Sequence, residues 1–120
     1  MRSASRIVWP DMPSLRRLIS VFEEARELLA DPGNDFAWSS WSGREDALAE
    51  VDGLLSSLRR GVLPERLSME VLFAPTGPTQ EVSLSSGWGE TFLALAGRFD
   101  EAMAAGDAPG PSPGQAGAAE

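Results

Sequence analysis

Leu15, Leu18, Ile19, Phe22, Ala25 and Leu29 recur at intervals of three and four residues, the spacing that gathers apolar side chains into one stripe of a helix. The pattern predicts a first helix over 14–30. Pro13 pre-sets its opening and Asp31-Pro32-Gly33 ends it, because a proline disfavours helical geometry at the residue before it. A second stripe, Ala47, Leu48, Val51, Leu54, Leu55 and Leu58, predicts a helix over 43–60. Its boundaries are written into the sequence. Ser42 to Glu45 has the Ser-x-x-Glu form of a capping box, Glu45 and Asp46 sit at the positive end of the helix dipole, and Arg59 and Arg60 at the negative end. Gly61 is the expected left-handed stop.

Between Leu67 and Ser85 the apolar positions read with a period of two. Leu67, Met69, Val71 and Phe73 alternate in one run and Val82 and Leu84 in another, which predicts two short strands joined by the turn-rich Ala74 to Thr79 segment. A short helix over 67–73 is the alternative. A third long helix is expected from Ser86 or Gly87 to Ala105, with Trp88, Phe92, Leu95, Ala96, Phe99 and Met103 inward, Ser85 or Ser86 as cap and Gly106 as stop. The expected fold is therefore α+β, mainly α: three amphipathic helices packed with one short two-stranded antiparallel hairpin, the alternative being all-α. The globular domain is assigned to 1–105. Residues 106–120, rich in Pro, Gly and Ala, cannot bury enough apolar surface to offset their ordering and are expected to form a disordered tail.

Composition narrows the chemistry. The chain has 120 residues, net charge −8, no His, no Cys and no Tyr, and all of its basic residues are Arg. Without imidazole, amine or thiol, a Ser-His-Asp relay, a Cys-His pair, a His- or Cys-ligated zinc, Schiff-base chemistry and the Walker lysine are closed to a single chain. Disulfides are excluded, which leans towards a cytoplasmic protein. The segment MRSASRIVWPDMP has two arginines but no apolar run long enough for a secretory signal, and no stretch reaches the length of a membrane helix. The acidic balance argues against nucleic acid and favours a basic protein partner. No cofactor and no metal are expected, since Asp31, Asn34 and Asp35 lack the spacing of a calcium loop.

Binding candidates remain. Phe36, Trp38 and Trp41 crowd the approach to the second helix, where they either close the core or form an interaction surface, and on a helical turn Trp38 and Trp41 would share a face. The polar turn contributes Thr76, Gln80 and Glu81, and Trp88 sits between two glycines. Glu81, Glu90 and Asp100 are the carboxylates on which a competing reading, a metal-assisted enzyme, would depend.

The succession Trp38-x-x-Trp41, the helix from Arg44 to Arg60, Leu72 to Glu81, Gly87-Trp88 and the helix from Phe92 to Asp100 resembles small uncharacterised bacterial proteins and, loosely, the immunity proteins that accompany polymorphic toxins. The resemblance spans 35–103. The expectation drawn from sequence is a non-enzymatic interaction module, in its sharpest form an immunity-like or antitoxin-like inhibitor of a basic partner. A homodimeric helical subunit of a larger assembly is a further alternative, and oligomeric state is left open.

Overall fold

In a computed structural model, residues 12–107 can be described, and they form five helices: α1 (Met12–Ala30), α2 (Arg44–Arg59), α3 (Arg66–Phe73), α4 (Pro78–Ser86) and α5 (Gly89–Asp107). The all-α alternative describes the fold, and the expected hairpin is replaced by α3 and α4. The physical reason lies in which side chains are buried. Met69, Leu72 and Phe73 of α3, and Thr79, Val82 and Ser83 of α4, are inward at helical i, i+3, i+4 spacing. Leu67, Val71 and Leu84, which a strand would have placed with them, are exposed. Pro78 stands at the first position of α4, where its missing N–H costs no hydrogen bond.

α1 is the spine. It packs against α2 on one side and α5 on the other, while α3 and α4 cover α5. Both flanking helices run antiparallel to it: Arg59 reaches back to Glu23 and Arg26 to Asp52, while Trp88, just before α5, bonds Asn34, just after α1, and Arg98 further along α5 bonds Ser20 and Glu24. Leu15, Leu18, Val21, Phe22, Ala25 and Leu29 of α1 meet Ala47, Val51, Leu55 and Leu58 of α2 and Phe92, Leu95, Phe99, Ala102 and Met103 of α5 in one apolar cluster. A phenylalanine group closes it. Phe73 lies stacked with Phe99 at 4.6 Å and Phe92 at 6.4 Å between ring centroids, and edge-on to Phe22 at 5.4 Å.

The helix boundaries differ from expectation in three places. At the start of α2 no Ser42 capping bond forms; Gly43 holds the cap position, and the Asp46 carboxylate accepts the Ser42 backbone N–H at 3.3 Å instead. The carboxylate one position further on is the one within reach. Ser85 and Ser86 belong to α4 and do not cap α5, which opens after Trp88 with the Phe92 N–H donating to the Trp88 carbonyl. Gly106 does not end α5, which continues to Asp107. From residue 108 the expected tail lies outside the described residues. By contrast Gly61 has the left-handed φ of 75° that its role demands, with N–H donation from Gly61 to Leu58 and from Val62 to Ser57 satisfying two carbonyls at the end of α2.

The α3–α4 turn admits little variation. A Cβ on Gly77 would lie 2.4 Å from the Val71 carbonyl oxygen, and Thr76 holds a φ of 63° that β-branched residues rarely adopt. Gln80 compensates by accepting the Thr76 N–H on its side-chain oxygen.

Helical packing of α3 makes a direct prediction. Met69→Ala removes a fully buried side chain and should cost about 2–5 kcal/mol, whereas Leu67→Ala, on the exposed face, should stay within about 0.5 kcal/mol; a strand would make the two equivalent. Urea unfolding of both variants measures this. The Arg98 guanidinium, donating to both oxygens of Glu24, holds that carboxyl below the ordinary carboxylate range, with Ser20 adding a smaller contribution against some desolvation. A depressed carboxyl pKa gives stability that is present above the unfolded value of about 4.3 and is lost as pH falls through the lower folded value. Arg98→Gln should therefore destabilise by less than about 1 kcal/mol at neutral pH, since the pair is nearly half exposed, and the deficit should vanish in strong acid. A deficit that persists undiminished there would mean that the pair acts through packing.

Candidate functional site

One end of the molecule collects the features that matter. The antiparallel arrangement brings together the C-terminus of α1, the 31–43 loop, the start of α2 and the α4–α5 junction. Two long-range hydrogen bonds pin the loop in place. The Asp35 N–H donates to Ser86 Oγ at 2.9 Å, and Trp88 Nε1 donates to Asn34 Oδ1 at 2.9 Å. Asn34 in turn donates from Nδ2 to the Leu28 carbonyl at 2.6 Å. The loop's carboxylates serve the backbone: Asp31 accepts from the Gly33 N–H and Asp35 from the Ala37 N–H.

The two candidate tryptophans separate. Trp41 is 7% exposed, lies edge-on to Phe36 and donates from Nε1 to Glu50 at 3.0 Å, so it is a core residue whose polar atom is satisfied. Trp38 is 76% exposed. They do not share a face, because 37–43 folds as turns and bends with Ser39 Oγ bonding the Phe36 carbonyl and receiving the Trp41 N–H.

A cleft of about 590 Å³ lies beside the loop, lined by Gln80, Leu84, Gly87, Trp88, Gly89, Glu90, Thr91 and Leu93. Leu84 and Leu93 are 67% and 60% exposed, and Leu84 lies 3.1 Å from where a Cβ on Gly89 would stand, so the glycine keeps the cleft open on that side. Of the residues singled out from sequence, Gln80 and Trp88 meet in this cleft, and Glu81 is next to Gln80 on α4. Thr76 is exposed in the preceding turn, and Trp41 is removed from the site by burial. Leu84 and Leu93 were missed. Leu93 had a readable signal: it is a leucine off the buried stripe of its helix.

Charge completes the picture. Arg44 is the sole basic residue between 27 and 58, and 67–97 contains none, whereas Asp31, Asp35, Glu45, Asp46, Glu50, Glu81 and Glu90 fall within these spans. The arginines are spent elsewhere, in the interhelical pairs Arg26–Asp52, Arg59–Glu23 and Arg98–Glu24 and at Arg16, Arg17 and Arg60 in the opposite half. A smaller hollow of about 330 Å³ at the start of α2 is lined by Ser42, Gly43, Arg44, Glu45 and Asp46, and its two carboxylates already occupy the positive end of the helix. The carboxylates of the enzyme alternative do not converge along α5: Glu90 and Asp100 are both exposed and separated by about 15 Å of helix. Among the described residues no group of three or more Asp or Glu could hold a metal ion, and no helix is long and apolar enough to cross a membrane.

No protein-family model, no curated protein and no solved structure matches this chain.

The division between the tryptophans has an observable consequence. Trp41→Ala should destabilise by about 3–5 kcal/mol, while Trp38→Ala should leave the midpoint within about 0.5 kcal/mol and remove, among the described tryptophans, the fluorescence most accessible to a neutral quencher. Thermal unfolding and acrylamide quenching test the pair.

Proposed function

We propose that this chain is a non-enzymatic, cytoplasmic interaction module that binds a basic protein partner through the end carrying Trp38 and the α4–α5 cleft. The observation that carries the reading is the exposure of Trp38 on a loop held by hydrogen bonds to α4 and Trp88. An aromatic displayed on a pre-organised segment loses little conformational freedom when it is covered, and tryptophan is the residue most enriched where binding energy concentrates. Leu84, Leu93 and the half-buried Trp88 extend the apolar surface within reach, since Trp38 lies no more than three residues, about 11 Å of chain, beyond the anchored Asp35. The surrounding carboxylates supply selection for positive charge and speed encounter. An immunity-like inhibitor would use the same surface, masking a basic toxin by occupying its charged face.

A synthetic amphipathic peptide of Arg and Leu serves as the probe. Its affinity should fall steeply with added salt and drop about tenfold or more in Trp38→Ala and in the paired Leu84→Gln, Leu93→Gln variant, while Arg60→Gln in the opposite half leaves it unchanged. Absence of binding at low salt, or affinity indifferent to salt, would sink the reading.

A further inference from the structure

The helix directions determine what this chain itself can bring to the cleft. α1 begins at Met12 in the arginine-bearing half, and the level of the cleft is set by α5, whose Arg98 stands opposite Ser20 and Glu24 of α1. Residues 89–93 therefore lie beside the last turn of α1, about 22 Å or more along the axis from Met12. Preceding Met12 is Arg2-Ser3-Ala4-Ser5-Arg6-Ile7-Val8-Trp9-Pro10-Asp11, in which three consecutive apolar residues follow Arg6. This is the chemistry the cleft selects: an apolar anchor flanked by guanidinium groups, against Leu84, Trp88, Leu93 and the carboxylates Glu81 and Glu90. It cannot arrive from the same chain. Fully extended, Trp9 reaches about 11 Å from Met12 and Ile7 about 18 Å. The cleft of a second copy has no such restriction.

We infer that Arg6-Ile7-Val8-Trp9 of one copy occupies the α4–α5 cleft of another, and that the exchange is reciprocal. With two copies side by side and antiparallel, the arginine-bearing half of each faces the acidic end of the other, so both segments leave beside the cleft they fill, and a closed two-fold dimer results. The same arrangement sets Arg16 and Arg17 of one copy towards the surplus carboxylates of its neighbour, which relieves the self-repulsion of a −8 chain. The inference rests on the reading of this end as a docking surface for basic, apolar segments and names a second copy as an occupant. A foreign basic partner would have to displace it.

Sedimentation velocity of the full chain tests this with two variants, one in the segment and one at the exposed Leu84 and Leu93. Wild type should sediment as a dimer of twice 12.8 kDa. Ile7→Ser with Trp9→Ser, and separately Leu84→Gln with Leu93→Gln, should each weaken dimerisation about 30-fold or more, as loss of a binding hot spot does. Mixing the two variants pairs an intact segment with an intact cleft and should restore a mixed dimer. A wild-type chain that remains monomeric, a segment variant that dimerises as wild type does, or a mixture that stays monomeric overturns the exchange. In any of these cases, continued salt-dependent binding of the Arg/Leu peptide leaves the docking surface standing, whereas loss of that binding removes both.

Discussion

Phe73 is the residue on which the arrangement of the short helices depends. It ends α3 inside a group of phenylalanines drawn from three helices, stacked with Phe99 and Phe92 and edge-on to Phe22. Each such pair adds about 0.5–1.5 kcal/mol to the burial of the rings, so the end of α3 is fixed against both α1 and α5. With Phe73 held there, the next residues have one short path back across α5. Ala74 is extended, Thr76 takes a positive φ and Gly77 passes so near the Val71 carbonyl that a side chain has no room. α4 then lies on α5, and the Gly87 reversal delivers Trp88 to Asn34. The cleft is the consequence of this route: two helices are joined by a glycine turn, Leu84 passes close to Gly89, and Leu84 and Leu93 line the gap.

The long helices were legible in the sequence because their stripes are long. Over sixteen or more residues a spacing of three and four cannot be mistaken for alternation, and every apolar position read for α1, α2 and α5 is buried or half-buried. In 67–73 both periods coexist. Leu67, Met69, Val71 and Phe73 alternate, while Met69, Leu72 and Phe73 follow helical spacing, and only the packing of Phe73 against rings brought by distant segments decides between them. Pro78 was the local clue to a helix start, since proline suits the first helical position as well as a turn. The capping box failed for a related reason: Ser-x-x-Glu and the neighbouring Asp46 offer the same few orphan amides competing partners, and the geometry of the loop leading in selects Asp46.

For the site, residue type was informative and placement was not. Trp38 and Trp41 are chemically identical and three positions apart, yet one is covered by Phe36 and α2 and the other stands in solvent, because an irregular loop has no period from which a face can be read. Their separation depends on where Asn34 and Asp35 are tied, and those ties reach more than fifty residues along the chain.

The distribution of arginine links stability to function in this chain. Each of α1's neighbours is joined to it through guanidinium groups, and Arg98 does so through both nitrogens, a geometry a lysine could not reproduce. Those pairs lie along the helices, where the partner carboxylates are neutralised. Towards the loop end Arg44 stands alone among Asp31, Asp35, Glu45, Asp46 and Glu50, so carboxylates outnumber guanidinium groups near the exposed Trp38, Leu84 and Leu93. Apolar area attracts without regard to charge, and a negative field repels surfaces of the same sign; on the proposed reading the two together favour a surface that is apolar at its centre and basic at its rim. A sequence of that description, Arg6-Ile7-Val8-Trp9, shortly precedes α1 in the same chain.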